Sequence, residues 1–245
     1  MRVKCNGVLK NPELPKDYHA IMISLFKKTL SEYENGRYYD MFYGGKQDKQ
    51  FTFAVRIPKQ SKFGRDKIEL SDVHISLTIS TADVRTGIIL TNAFLKMKGY
   101  KHPLPMGNTL TIEGLYPVEE PFVTGSQIAV RFLSPLCVRE HIEKTDTYYT
   151  VEDSDFQEQF RRCVQYQLRN IMPDLPDDCI SCIPVEMRKT KVLYYRQYIP
   201  VSIGTAVLCG SPELLQYLAQ NGIGSRRGGG FGLFQVLSQL DDKEV

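Results

Sequence analysis

The sequence predicts an α+β chain of two tandem β-α-β-β-α-β units, the second closed by a glycine-rich loop that feeds its last strand. Two patterns predict it. Apolar residues switch between strict alternation, the strand period, and three-to-four spacing, the helix period, and they run through the same order twice. A junction rich in Pro and Glu, from Tyr116-Pro117 to Glu119-Glu120-Pro121, separates the two passes. The order is that of the ferredoxin-like (RRM-like) split unit. A length of 245 residues suits two modest domains, taken as 1–120 and 121–245.

The first unit opens with a strand over residues 2–9. Leu14-Pro15-Lys16-Asp17 then introduces a helix, with Asp17 as its N-cap. Tyr18, Ile21, Met22, Leu25, Phe26, Leu30 and Tyr33 form one apolar stripe facing a sheet, and Asn35-Gly36 ends the helix. Phe51, Phe53, Val55 and Ile57 alternate with Thr52, Ala54 and Arg56, which reads as a half-buried strand stopped by Pro58. Residues 68–79 alternate in the same way with one register break. The spacing predicts a helix over 83–95, with Val84, Ile88, Thr91, Phe94 and Leu95 on its apolar side. Thr109–Ile112 supply the closing strand.

In the second unit, residues 127–133 read as a strand broken by Ser134-Pro135. Asp153 is the expected cap of a helix carrying Phe156, Phe160, Cys163, Val164, Leu168 and Ile171, ended by Pro173 and Pro176. Strands near 180–188 and 200–208 flank a basic, Tyr-rich connection. Ser211-Pro212-Glu213 starts a helix with Pro in its first turn. Phe231, Leu233 and Val236 make the final strand. The pattern repeats between the halves, but the residues do not.

Hydrophobic residues are 42% and charged residues 24%, which excludes disorder over most of the length. No apolar run reaches the ~18–20 residues of a membrane helix, and the start lacks a signal peptide. A cytoplasmic protein without a membrane partner is expected. The net charge of +3 hides two basic ends around an acidic middle. If the ends meet in the fold, they make a basic face suited to a polyanion. The six cysteines are scattered, and a reducing cytosol keeps them as thiols. Cys179 and Cys182 form a CxxC with no second ligand pair for zinc, so no metal and no cofactor is expected.

The most informative segment runs from Asn221 to Phe234. Gly222, Gly224, Gly228, Gly229, Gly230 and Gly232 place six glycines in eleven residues. Such a loop lets backbone approach a ligand and expose its N–H groups. Arg226 and Arg227 add planar forks for phosphate. No GK[ST] follows, so this is not a P-loop. A dinucleotide fingerprint would need Gly where Arg227 stands, and the segment leads from helix to strand, the reverse of that motif's order.

The loop, Ser211-Pro212-Glu213-Leu214-Leu215 before it, Lys189-Thr190-Lys191-Val192 upstream and Leu133-Ser134-Pro135-Leu136 together resemble the CRISPR-associated pre-crRNA-processing endoribonuclease family. That family belongs to the repeat-associated mysterious protein (RAMP) superfamily. The resemblance implies a metal-independent ribonuclease that binds CRISPR repeat RNA and cuts pre-crRNA once per repeat. Its partners would be the pre-crRNA and crRNA, and subunits of a CRISPR interference complex. Dimers occur in such families, which adds a second copy of the chain.

Metal-free cleavage uses the RNA's own 2′-OH as nucleophile and leaves a 2′,3′-cyclic phosphate. It needs a base, an acid and a cation beside the phosphorane. The family places a His, a Tyr and a Lys around the first helix and the segment after it. Here the segment from Tyr38 to Lys49 holds no histidine. If Lys49 matches the family lysine, the histidine position falls near Tyr43 or Asp40, and the helix tyrosine at Lys27. The candidate catalytic residues are therefore Tyr39, Tyr43, Lys28, Lys46 and Lys49. Lysines lower a tyrosine's pKa of ~10 by favouring phenolate, so Tyr39 or Tyr43 would be base or acid. Packing is the competing role for each tyrosine. His19, at the start of the first helix, is a further acid or base candidate if that helix faces the RNA. His141, in a charged turn, reads as a surface or RNA-contacting residue.

RNA binding is assigned to Gly222, Gly224, Ser225, Arg226, Arg227, Gly228, Gly230, Arg188, Lys189 and Lys191. Tyr194, Tyr195 and Tyr198 interleave with the basic residues and suit base stacking. The alternative function is a non-catalytic RNA-binding subunit of the same superfamily. The missing histidine favours it, and the C-terminal motif favours the enzyme.

Overall fold

The structure, a computed structural model, describes residues 1–45 and 48–240. The first half contains β1 (Arg2–Leu9), α1 (Tyr18–Glu32), β2 (Thr52–Arg56), β3 (His74–Ser80), α2 (Val84–Lys96) and β4 (Thr109–Pro117). Its antiparallel sheet has the order β2-β3-β1-β4, with the short strand Lys101–Pro103 outside β4. The second half contains β5 (Gln127–Phe132), β6 (Val138–Ile142), β7 (Thr145–Tyr149), α3 (Phe156–Leu168), β8 (Ile180–Tyr194), β9 (Gln197–Gly210), α4 (Pro212–Asn221) and β10 (Phe234–Leu240). Its sheet has the order β8-β9-β5-β10, and β6 and β7 form a separate hairpin. In each half the first and third strands of the unit lie inside and the second and fourth outside. The chain is thus α+β with the ferredoxin-like arrangement twice.

The apolar stripe of α1 folds onto the sheet as its spacing dictates. Phe26 is fully buried, with ring centroids 5.1 Å from Phe51 and 5.0 Å from Phe53 and Phe94. α4 starts as its sequence requires, because the Ser211 hydroxyl accepts the Leu214 amide and Pro212 occupies the first turn.

Several local expectations change. The stretch 68–79 is two strands. Lys67–Glu69 joins a small sheet with Glu13–Pro15 and Lys62–Phe63, and β3 begins only at His74 after a turn. α2 is rotated from its expected phase: Ile89, Leu90, Ala93 and Phe94 are buried, while Val84, Ile88 and Leu95 are exposed. Two stripes at helical spacing competed there. The inner one wins where Gly87 lets the Met1 side chain close in. The start of β2, Thr52–Ala54, is buried on both faces, and there the Thr52 hydroxyl donates to the Phe231 carbonyl of the second half at 2.7 Å.

Asp17 precedes α1 without capping it. Its carboxylate instead accepts the Arg196 amide at 3.2 Å. Asp153 binds the amide and hydroxyl of Thr150, and α3 begins at Phe156 after Asp155. The expected connection near 189–199 is strand: β8 and β9 continue to a two-residue turn, Tyr195-Arg196, with φ of +48° and +65°. β10 starts at Phe234, and Phe231 and Leu233 are buried in the loop before it.

The two halves are tied together by a buried arginine. Arg2, on β1, donates to the Ala219 carbonyl at 2.7 Å, the Phe234 carbonyl at 3.2 Å and the Ser80 hydroxyl at 3.2 Å. No helix among the described residues is long and apolar enough to cross a membrane.

Candidate nucleic-acid interface

The glycine loop is a built-in part of the core. Ile223 N–H donates to the Gly232 carbonyl at 2.9 Å, Gly232 N–H to Pro135 at 2.8 Å and Ser225 N–H to Cys137 at 2.8 Å. Gln167 of α3 spans the loop, accepting the Gly224 amide and donating to the Gly222 carbonyl, each at 2.9 Å. The Gly222, Gly229 and Gly230 amides also bond within the chain. The expected row of exposed N–H groups is therefore absent at these positions. The glycines serve close approach instead: Gly228 abuts the Lys49 side chain, Gly229 the Tyr194 ring, and Gly230 Phe53 and His19.

The two loop arginines have opposite fates. Arg227 is buried, and its Nη1 donates to the Gly224 carbonyl at 2.9 Å. Burial pushes its pKa down. It struts the loop from the wall of the cleft, with Nη1 committed to that carbonyl. Arg226 takes a left-handed backbone (φ +58°) and emerges on the surface side. Its Nη2 donates to Asp146 Oδ2 at 2.7 Å and to the Tyr148 hydroxyl, and its guanidinium lies 5.1 Å from the Tyr194 ring centre.

Arg226 lines a cleft of about 650 Å³ formed by both halves. The first half contributes Lys27, Tyr43, Asp48 and Lys49. The second contributes His141, Arg162, Tyr166, Tyr194 and Tyr195, with Ser225 and Gly228 of the loop. Asp48 and Arg169 form an ion pair of 2.9 Å between the halves. The Lys49 and Lys27 ammonium groups lie 4.9 Å and 5.4 Å from the centre of the Tyr43 ring. Burial, then the neighbouring charge of Lys27, pushes the Lys49 pKa down against the pull of Asp48.

The Tyr43 hydroxyl is buried without a hydrogen-bond partner among the described residues. Burial pushes its pKa up, and Tyr195, Tyr39 and Tyr194 add to the shift. Desolvation thus outweighs the two lysines, and the expected phenolate is disfavoured. Tyr39 touches the Tyr43 ring at 5.7 Å but lines a separate shallow groove with Lys28. Lys28 is exposed and pairs with Glu32 at 2.5 Å. Lys46 lies outside the described residues. Arg188, Lys189 and Lys191 are exposed along β8, the edge strand beyond the cleft.

His19 is 1% exposed, so the expected site at the start of α1 is closed. Its Nδ1 lies 2.8 Å from the Gly229 carbonyl, and its ring stacks on Phe231 at 4.6 Å. Burial lowers its pKa to about 4. His141 sits on the β6–β7 hairpin, paired in register with Asp146, and its Nδ1 is 2.6 Å from Asp146 Oδ1. Arg139, His141 and Asp146 flank a tight turn in the sequence, but that His141 and Lys49 line one cleft depends on the assembled halves. Among the described residues, no three His, Cys, Asp or Glu side chains converge as metal ligands do.

Residues 118–236 match the family model described as CRISPR associated protein Cas6, C-terminal. Through this half the chain is similar to the Cas6 family. Solved structures extend the likeness of fold across the chain. A RAMP protein described as binding different RNA substrates aligns with a TM-score of 0.81 at 20% identity, covering 97% of this chain and 100% of that one. A Cas6-related protein from Pyrococcus furiosus gives 0.82 at 18%, over 98% and 99% of the two chains. A Cas6 product complex gives 0.69 at 16%, over 96% and 99%. No curated protein matches the sequence.

Proposed function

We propose that this chain is a Cas6-type, metal-independent endoribonuclease that binds CRISPR repeat RNA and cleaves pre-crRNA once per repeat. The observation that carries the reading is the cleft in which Lys27 and Lys49 of the first half face Arg226 of the glycine loop. Three fixed cations from two halves suit one bent phosphodiester, held for in-line attack by its 2′-OH. Residues 1–120 form the domain that brings the lysines, and residues 121–245 the domain that brings the loop.

In this reading Arg226 grips a phosphate and Lys27 stabilises the charged phosphorane. Lys49, with its lowered pKa, gives a proton to the leaving 5′-oxygen more readily than an ordinary lysine. Tyr43 remains a phenol and serves as the pedestal under both ammonium groups. Tyr39 and Lys28 stand aside from the cut. Tyr194 and Tyr195 offer stacking faces, and Arg188, Lys189 and Lys191 extend the basic track along β8. A protein that holds its product in this way suits delivery of crRNA to an interference complex.

The test mixes the protein with its repeat RNA in EDTA and resolves the products on a denaturing gel. One cut per repeat is expected. Tight binding without any cut overturns the enzyme and leaves the non-catalytic RNA-binding subunit.

A further inference from the structure

We propose that His141 is the general base of this cleavage, an inference that rests on the function proposed above. Among the described residues, His141 is the one histidine that lines the cleft. His19 and His102 are buried, and His74 pairs with Asp72 on the surface. The position expected for a histidine, between Tyr38 and Lys49, has none. The β6–β7 hairpin brings one to the same cleft from the opposite half.

The surroundings of His141 are those of an oriented base. Burial disfavours the Asp146 carboxylate. The hydrogen bonds from His141 and Arg139 and the charges of Arg139 and Arg226 outweigh this and hold its pKa below the usual range. An ionised carboxylate only accepts, so His141 Nδ1 carries the proton that spans the 2.6 Å contact. In the neutral ring Nε2 is then the nitrogen free to accept a proton. The ring is 55% exposed, so a substrate reaches it. Asp146 also accepts Arg139 Nη1 at 2.9 Å and Arg226 Nη2 at 2.7 Å. The residue that orients the base is therefore tied to the loop that grips the RNA.

The step balances. His141 Nε2 takes the proton of the 2′-hydroxyl while the 2′-oxygen forms its bond to phosphorus. The P–O5′ bond breaks, its electron pair stays on the 5′-oxygen, and Lys49 supplies the proton there. The products are a 2′,3′-cyclic phosphate and a 5′-hydroxyl. His141 leaves as an imidazolium facing the Asp146 carboxylate, the arrangement that stabilises its charge.

Single-turnover cleavage at saturating repeat RNA compares the wild type with His141→Ala, and affinity is measured on RNA bearing a 2′-deoxy residue at the cut. The proposal expects a rate lower by roughly 10²–10⁴-fold, unchanged affinity, and partial recovery with added imidazole. A wild-type rate in the variant overturns it. So does a rate loss that imidazole does not relieve or that follows lost affinity. A wild type that cuts nothing fails the underlying reading instead, and shows it before any variant is used.

Discussion

Gly229 presents its carbonyl oxygen to His19 Nδ1 at 2.8 Å, so the start of the first helix is bolted to the glycine loop of the other half. The bond and the stack on Phe231 explain why this histidine is closed to solvent.

The bolt is pH-sensitive. Burial lowers the His19 pKa to about 4, against 6.5 in its ordinary state, while the bond to Gly229 and the charge of Asp17 oppose the shift. Below pH 6.5 the unfolded chain takes the proton first. Stability is therefore full above that pH, falls as pH drops toward 4, and levels off below. At ~1.4 kcal/mol per unit the loss is on the order of 3 kcal/mol. His19→Phe keeps a ring on Phe231 but cannot titrate. Urea unfolding across this pH range shows the slope shrinking by that component in the variant.

Two glycines separate fold from function. Gly232 has φ +74°, and an added Cβ would overlap the Ile223 carbonyl, which is backbone and cannot step aside. Gly232→Ala is expected to cost at least about 1–2 kcal/mol and to lower the melting temperature. Gly228 faces the flexible stem of Lys49. Gly228→Ala crowds the Lys49 Cδ and Cβ, so it displaces the ammonium group, single-turnover cleavage drops, and the melting temperature falls less than in Gly232→Ala.

Tyr43 divides two accounts of the chemistry. Tyr43→Phe keeps the aromatic face under Lys27 and Lys49 and deletes a buried hydroxyl without a partner. The cleavage rate is expected to stay and stability to hold or rise. A collapse of the rate would restore the phenolate base. Tyr43→Ala removes the half-buried pedestal and is expected to lower both stability and the rate.

The paired arginines give opposite readouts. On the proposed function Arg226→Ala removes a phosphate contact, so RNA affinity is expected to fall and the slope of log K against log salt to shrink by about 0.7–0.9. Arg227→Ala leaves that slope unchanged and lowers the melting temperature, because a buried strut is lost.

The order of strands and helices was legible because each apolar period is local. Phe51, Phe53 and Val55 announce a strand wherever it lies. The phase of α2 was not legible, since two stripes at the same spacing differ only in what Met1 and the sheet bring against them. The polar face of β2 was misread because Thr52 meets Phe231 from far along the chain. At the cleft, the sequence singled out Lys49 and Arg226 separately, and only the fold puts them on the same cleft. The different roles of Arg226 and Arg227 turn on one left-handed backbone angle. His141 became a candidate only once a hairpin and two halves had been assembled around the same cleft.

The most direct test of the account is product analysis in EDTA on two repeat RNAs that differ by one 2′-deoxy substitution at the cut. The account predicts a single cut ending in a 2′,3′-cyclic phosphate, lost with the 2′-hydroxyl. Cleavage of the deoxy RNA, or a 3′-hydroxyl end on the upstream product, would contradict it.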